Sequence, residues 1–500
     1  MRTLSHAEDS PVLFNSFVFI AGFLPLALLG FFGLARALGQ RAALAWLVLA
    51  SLGFYGWWNP RYLWLVALSV GVNYAAGRLL TQHREHAARR RLLLTLGVAF
   101  NLALLGYYKY ANFFVDSLNA VAGTRFNLER IFLPLAISFF TFQQIAFIVD
   151  ASRGKTGPYS FLEYCFLVTF FPHLIAGPIV QHGDLLSQLR PQAFRPSAQN
   201  LGVGLSLFVA GLAKKVLVAD HLAAWVGPVY DGPLAFGALD TAQAWIATVA
   251  YSFQLYFDFS GYSDMAIGLA RMFNFTFPQN FDSPYKANNV IDFWRRWHMS
   301  LSRFLREYLY FSLGGNRHGR VRRHVNLMLT MLLGGFWHGA GLGFVVWGGL
   351  NGLYLVVNHL WHVLRGVQER VPQRFWLWAE LSGLATFVLV MLSRVFFRAP
   401  TMDRSFEVLA GLAGQSAAGL GTLQGQLRPL LLFALLWVAV RALPNTQQLA
   451  ADYAPVTRPV QGVSWLRLRL QPAWAVALAV VAVLSLLSLQ QVSEFLYFQF

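Results

Sequence analysis

The 500-residue chain is poor in charge: Asp, Glu, Lys and Arg make up only 12% of it, against 56% hydrophobic residues. Soluble domains carry about 25% charged residues. A water-soluble globule of this length and composition is therefore excluded, and lipid is the expected solvent. Cysteine is all but missing. The single Cys165 excludes an intrachain disulfide and any multi-cysteine metal site. Its place in the apolar run Phe161 to Phe171 reads as a small buried hydrophobe rather than a nucleophile. Acidic residues are the scarcer sign, 22 against 39 Lys and Arg, for a net charge of +17. The basic residues are scattered between apolar runs and form no stripe with interleaved aromatics. They read as topology determinants facing lipid headgroups, with no nucleic acid expected as a partner. A Walker-type glycine-lysine loop, an HExxH pair and a GxSxG elbow are also missing, which takes weight from ATP-driven transport, zinc proteolysis and serine-hydrolase chemistry. No repeat of fixed period is present, as an inverted-repeat transporter would have.

What is present is a series of apolar runs, each near the roughly 20 residues a spanning helix needs. They lie at 14–35, 42–57, 61–80, 92–110, 131–149, 197–219, 241–270, 324–338, 341–364, 376–397, 428–443 and 472–490. Some are short, so about ten to twelve spans are expected. The stretches 159–180 and 284–313 are apolar but interrupted by Pro, Gly or charge, and read as re-entrant or interfacial. The fold class expected is an all-α polytopic transmembrane bundle. It forms one membrane-embedded domain over 1–500, with its catalytic region at about 170–345. Arg36 and Arg41, Arg84 with Arg89 to Arg91, Arg153 and Lys155, Arg317 with Arg320, Arg322 and Arg323, and Arg365 with Arg370 and Arg374 all fall on one side when the chain is threaded in and out. The positive-inside rule makes that side the cytoplasm.

Polar residues within apolar runs are costly and so mark candidate sites. In LLGGFWHGAG, His338 sits among glycines at 334, 335, 339 and 341, where backbone or substrate can approach closely. A neutral histidine in a dry site is a competent general base. In DFWRRWHMSLSRFLREY, His298 again follows a tryptophan, and a continuous helix would put Trp294 and His298 on one face. Snorkelling arginines on an interfacial helix account for the rest of that segment. In SFQLYFDFSGYSDMAIGLAR, Asp258 and Tyr262 share a helix face and, with Tyr256, Ser260 and Ser263, offer a hydroxyl-lined wall for a sugar-like acceptor. An interhelical hydrogen-bond network is the competing reading. In FFPHLIAGPIVQ, His173 lies where prolines and a glycine break the helix, and a structural kink is expected there.

Together PHLIAGPIVQ (172–181), YFDFSGYSDMAIGLARMFNF (256–275), FDSPYKANNVIDFWRRWHMSLSRFLREYLY (281–310) and GGFWHGAG (334–341) carry a resemblance. The chain resembles the membrane-bound O-acyltransferases, in particular their bacterial branch of alginate O-acetyltransferase and teichoic-acid D-alanyl transfer proteins. The likeness runs from FYGWWNPRYL at 54–63 to the closing EFLYFQF. It implies transfer of a small acyl group, with acetyl expected rather than aminoacyl, from a cytoplasmic thioester donor (acetyl-CoA or an acyl-carrier protein) to a hydroxyl. The acceptor implied is an extracytoplasmic polysaccharide such as alginate, reached through a periplasmic acetyltransferase partner. D-alanyl transfer to teichoic acid is the alternative, and a polysaccharide or small-molecule transporter the second. The resemblance puts the catalytic histidine at His338 and a second polar position at His298. Trp297 and Trp337 join Asp258 and Tyr262 as expected substrate-binding residues, and Arg295 and Arg296 as partners for donor phosphate. No metal and no resident cofactor are implied, and the location implied is the bacterial inner membrane.

Overall fold

The computed structural model describes residues 13–232, 239–366, 376–415, 426–460, 465–489 and 495–496. Arg370 and Arg374, and all of EFLYFQF except Phe495 and Leu496, lie outside the described residues. The architecture is helical throughout. Leu24–Ala37 (α1), Gln40–Trp58 (α2), Leu63–Gln82 (α3), Ala87–Leu105 (α4), Ala111–Ala122 (α5) and Ile137–Ser152 (α6) build the first part. Short pieces follow at Phe161–Thr169 (α7), Phe171–Leu174 (α8) and His182–Leu185 (α9). Ala198–Ala213 (α10), Asp220–Tyr230 (α11) and Thr241–Met272 (α12) form the centre, with Val290–Arg296 (α13) and Met299–Phe304 (α14) laid against it. Gly319–His338 (α15), Leu342–Arg365 (α16) and Trp376–Arg398 (α17) complete the catalytic side. Met402–Leu412 (α18), Leu427–Ala442 (α19), Thr446–Leu449 (α20) and Pro472–Leu487 (α21) close the chain.

Each expected apolar run falls on a helix. By length and apolar composition alone, five segments among the described residues qualify as membrane crossings: Val18–Ala37, Pro60–Gln82, Ala87–Ala122, Ala198–Tyr230 and Leu377–Arg398. The expected ten to twelve include helices that meet protein rather than lipid and so carry polar groups. α12 is the clearest case: it runs 32 residues, is buried along almost its whole length, and carries Asp258 and Asp264. The two stretches expected to be re-entrant are indeed broken into short buried pieces. The first breaks at Phe170, between α7 and α8, and the second at Trp297 and His298, between α13 and α14.

Small residues set how closely the central helices approach. A Cβ on Gly211 or Gly268 in the α10–α12 seam would run into the backbone of the opposite helix, at Gly261 and Gly204 respectively. The seam between α15 and α16 is built the same way, with Gly335 against the backbone of Phe344 and Gly348. This is the small-residue packing that lipid favours, because no hydrophobic effect drives helices together there. Buried polar pairs lock the seams. The carboxylate of Asp264 takes Lys214 at 2.6 Å and Thr446 Oγ1 at 2.7 Å, and Asn73 and Asn101 bond side chain to side chain between α3 and α4.

The exposed start of α15 carries the densest cluster of arginines next to a helix of the bundle. A cysteine replacing Arg320 is expected to react with an impermeant maleimide only after cells are permeabilised. Labelling in intact cells would reverse the orientation.

Candidate active site

The histidine of the FWHGA sequence is the last residue of α15, and it is 6% exposed. A helix C-terminus leaves its final carbonyls without intrahelical partners. Here they are met by the α4–α5 junction. Lys109 Nζ donates to the carbonyls of Trp337 (2.7 Å) and His338 (3.1 Å) and to Ser138 Oγ (3.2 Å). Tyr110 Oη donates to the carbonyl of Phe336 at 2.9 Å, while its ring stacks on that of Phe336. A lysine at the negative end of a helix is electrostatically well placed. The His338 ring lies edge-on against Trp347 at 5.1 Å and Phe397 at 5.3 Å between centroids. The glycines beside it serve packing: Gly335 admits α16, and Gly339 lies under the ring of Phe344.

His298 is positioned by a break. A continuous helix over this segment would put Trp294 and His298 on one face, but α13 ends at Arg296 and His298 adopts the left-handed region at φ +43°. A non-glycine residue is held there only when its surroundings over-determine it. Asn280 supplies the constraint. Its backbone carbonyl accepts from Met299 N at 2.9 Å, and its side-chain Oδ1 faces His298 Nδ1 at 3.0 Å and Ser300 Oγ at 2.9 Å. Its Nδ2 donates to Ser263 Oγ at 3.0 Å, and the backbone N–H of Ser300, which can only donate, reaches Oδ1 at 3.4 Å, so Oδ1 is the acceptor. His298 Nδ1 must then carry the proton, and Nε2 bears the ring's lone pair. Asn280 is wholly buried and His298 is 1% exposed, and a dry site favours the neutral ring.

Both histidines line one cavity, together with Trp294, Trp297, Trp347, Asn351 and Arg394. The cavity is small, about 20 Å³, enough for about one ordered water. The walls from α16 and α17 lie beyond the 170–345 stretch that the sequence marks out.

The other expected residues lie elsewhere. Trp337 stacks on Phe142 and packs beneath His338 without lining the cavity. Asp258 is bound to Lys215 Nζ at 2.7 Å and accepts from Leu496 N at 3.1 Å. Tyr262 stacks between Phe14 and Phe495. The interhelical-network reading of that pair therefore describes their contacts, since a carboxylate this deep needs a cation beside it. His173 is buried against Phe277, also outside the cavity. Arg296 pairs with Asp292 at 2.9 Å, whereas Arg295 is exposed. Among the described residues no group of three or more His, Cys, Asp and Glu is placed to hold a metal ion.

Three contributors went unread in the sequence: Lys109, Asn280 and Arg394. Lys109 and Arg394 had a signal, an ionisable side chain inside an apolar run, but each passes for a snorkelling residue near a span end. Asn280 lies in a polar loop 18 residues before His298, and nothing local announces their pairing.

Fold and cavity define a multi-pass membrane protein whose buried polar chemistry converges on two histidines, a set suited to moving a proton off a hydroxyl during acyl transfer. Comparison with known proteins agrees. The profile of the MBOAT, membrane-bound O-acyltransferase family, matches residues 151–393. The chain is 42% identical over 437 residues to the peptidoglycan O-acetyltransferase of Helicobacter pylori, covering 82% of this chain and 81% of that protein. It is 39% identical over 507 residues to a protein of Pseudomonas putida named "Probable alginate O-acetylase AlgI", covering 98% and 100%. It is 26% identical over 280 residues to the teichoic acid D-alanyltransferase of Streptococcus thermophilus, covering 53% and 68%. The chain belongs to the membrane-bound O-acyltransferase family and is an O-acyltransferase.

The Asn280–His298 bond separates a functional role from a structural one. Replacing Asn280 with Leu should lower acyl transfer about 10- to 100-fold, the usual cost of losing the partner that orients a functional histidine. Asn280→Asp keeps the acceptor and should retain most activity. Near-normal activity of the Leu variant, measured on protein of matched thermal stability, would show that Asn280 acts only on folding.

Proposed function

We propose that this enzyme is an O-acetyltransferase of the bacterial inner membrane. It carries acetyl from a cytoplasmic thioester, acetyl-CoA or an acyl-carrier protein, to a hydroxyl of an extracytoplasmic polysaccharide, through a periplasmic partner. The observation that carries the reading is the convergence of His298 and His338, from separate elements, on one buried cavity. The acetyl-transferring names of the two relatives that cover most of the chain support acetyl over D-alanine, and the D-alanyl relative covers about half of it. A transporter reading draws no support from a cavity this small.

In this reading His338 takes the proton of the incoming hydroxyl. His298, held by Asn280 with its Nε2 as acceptor, cannot in that neutral form donate a hydrogen bond to the carbonyl oxygen. It completes a proton relay with His338 instead. Trp297 and Trp347 exclude water, which limits loss of acetyl to hydrolysis. Arg295 is three residues before His298 and exposed, so it is the better placed of the two arginines to meet donor phosphate.

His338→Gln keeps volume and hydrogen bonding but cannot take a proton at working pH. It should lower acetyl transfer by about 10²–10⁴, the usual worth of a general base, while the protein still inserts and folds. Near-normal O-acetylation by the folded variant would remove His338 from the mechanism. For the donor, Arg295→Gln should raise the KM for acetyl-CoA with little change in kcat, and Arg296→Gln should do so less. An unchanged KM in the Arg295 variant would assign that arginine to lipid headgroups.

A further inference from the structure

Acyl transfer needs more than a base. As the hydroxyl oxygen bonds to the thioester carbon, the carbonyl π pair moves onto oxygen, and that charge must be met. The groups beside His338 are the wrong kind. The C-terminal end of α15 presents carbonyls, and they already turn to Lys109 and Tyr110. The amide of Gly341 is bonded to the carbonyl of Gly339. His298 offers a lone pair to the cavity rather than a proton.

One wall residue is a permanent cation. Arg394 of α17 is 3% exposed and has no carboxylate partner among the described residues. Its guanidinium lies over the face of Trp297 at 4.4 Å, and Nη1 donates to Tyr285 Oη at 2.6 Å and more weakly to Ser252 O at 3.4 Å. These contacts hold the group in place without neutralising it. A buried arginine with no counter-ion is costly, and its cost falls when an anion forms beside it. Trp294, another wall residue, has a buried indole N–H with no hydrogen-bond partner among the described residues.

We propose that Arg394 is the oxyanion-stabilising catalytic residue of this cavity, in which Arg394, His298 and His338 line the same small space. The proposal rests on the acyl-transfer reading above. The acceptor oxygen bonds to the carbonyl carbon as its proton passes to the histidine pair. Negative charge builds on the carbonyl oxygen against Arg394. The tetrahedral intermediate then collapses, the C–S bond breaks, and the departing thiolate takes the proton back.

The test is steady-state kinetics of purified protein in detergent, with radiolabelled acetyl-CoA and a soluble acceptor polysaccharide, alongside thermal unfolding. Arg394→Gln should lower kcat about 10²–10³-fold, the cost of removing one such donor, with the KM for acetyl-CoA nearly unchanged. Arg394→Lys keeps the charge and should fall between. If the Gln variant does not fold, the Lys variant carries the test, and a kcat equal to the unaltered enzyme's overturns the proposal. A raised KM with kcat retained also overturns it, because Arg394 would then hold a ground-state anion. If the unaltered enzyme transfers no acetyl from acetyl-CoA while a D-alanyl carrier protein serves, the acetyl reading fails. Arg394 is then judged by the same kcat and KM split with that donor.

Discussion

A polar group inside this protein must find its partner within the protein, because hydrocarbon offers none. That constraint organises most of what positions the active site. Lys109 turns to the carbonyls that end α15 and thereby ties the α4–α5 junction to the backbone of His338. Lys215 and Lys214 turn to Asp258 and Asp264, joining the end of α10 to α12. Asn280 spends both ends of its amide, one on Ser263 of α12 and one on His298 and Ser300. Each pairing links elements far apart in the chain. Removing one member strands the other, at about 1–3 kcal/mol for a neutral group and more for a charged one.

The apolar residues answer a different need. Dispersion and close approach hold helices together in lipid, so glycine in this chain marks helix seams as much as backbone freedom. Gly335 and Gly348 let α15 and α16 meet backbone to backbone, and this brings Trp347 against the His338 ring. The glycines of LLGGFWHGAG had suggested room for substrate beside the histidine. The structure spends Gly335 on the neighbouring helix and Gly339 on the ring of Phe344. Both readings follow from the absence of a side chain, and only the position of α16 decides between them.

What was legible in the sequence was what depends on local composition. Runs of apolar residues located the helices, interrupted runs located the broken segments, and a histidine after tryptophan located two cavity walls. What depends on distant partners was not legible. The interruption of 284–313 was legible but its place was not: the backbone turns at His298, where Asn280 holds it. Asp258 looked like a substrate contact because its neighbour across the seam, Lys215, is 43 positions earlier in the chain. Arg394 went unread because its cavity is made by α12, α13, α15 and α16 as well as by its own helix.

The left-handed backbone at His298 links these two levels. A histidine on an unbroken helix would show its neighbours' direction, set by the helix axis. At a break its direction is set by whatever grips the flanking residues. Here that grip is threefold, from the carbonyl and side chain of Asn280 and from the pairing of Asp282 N with Arg296 O. The strain of a positive φ, of order 1–3 kcal/mol, is therefore offset by bonds that also decide which nitrogen carries the proton. Asn280 takes part in both the backbone conformation and the choice of tautomer, so the ring does not have to reorganise when a hydroxyl arrives. Such preorganisation is how a buried site acts on a charge that exists only in the transition state.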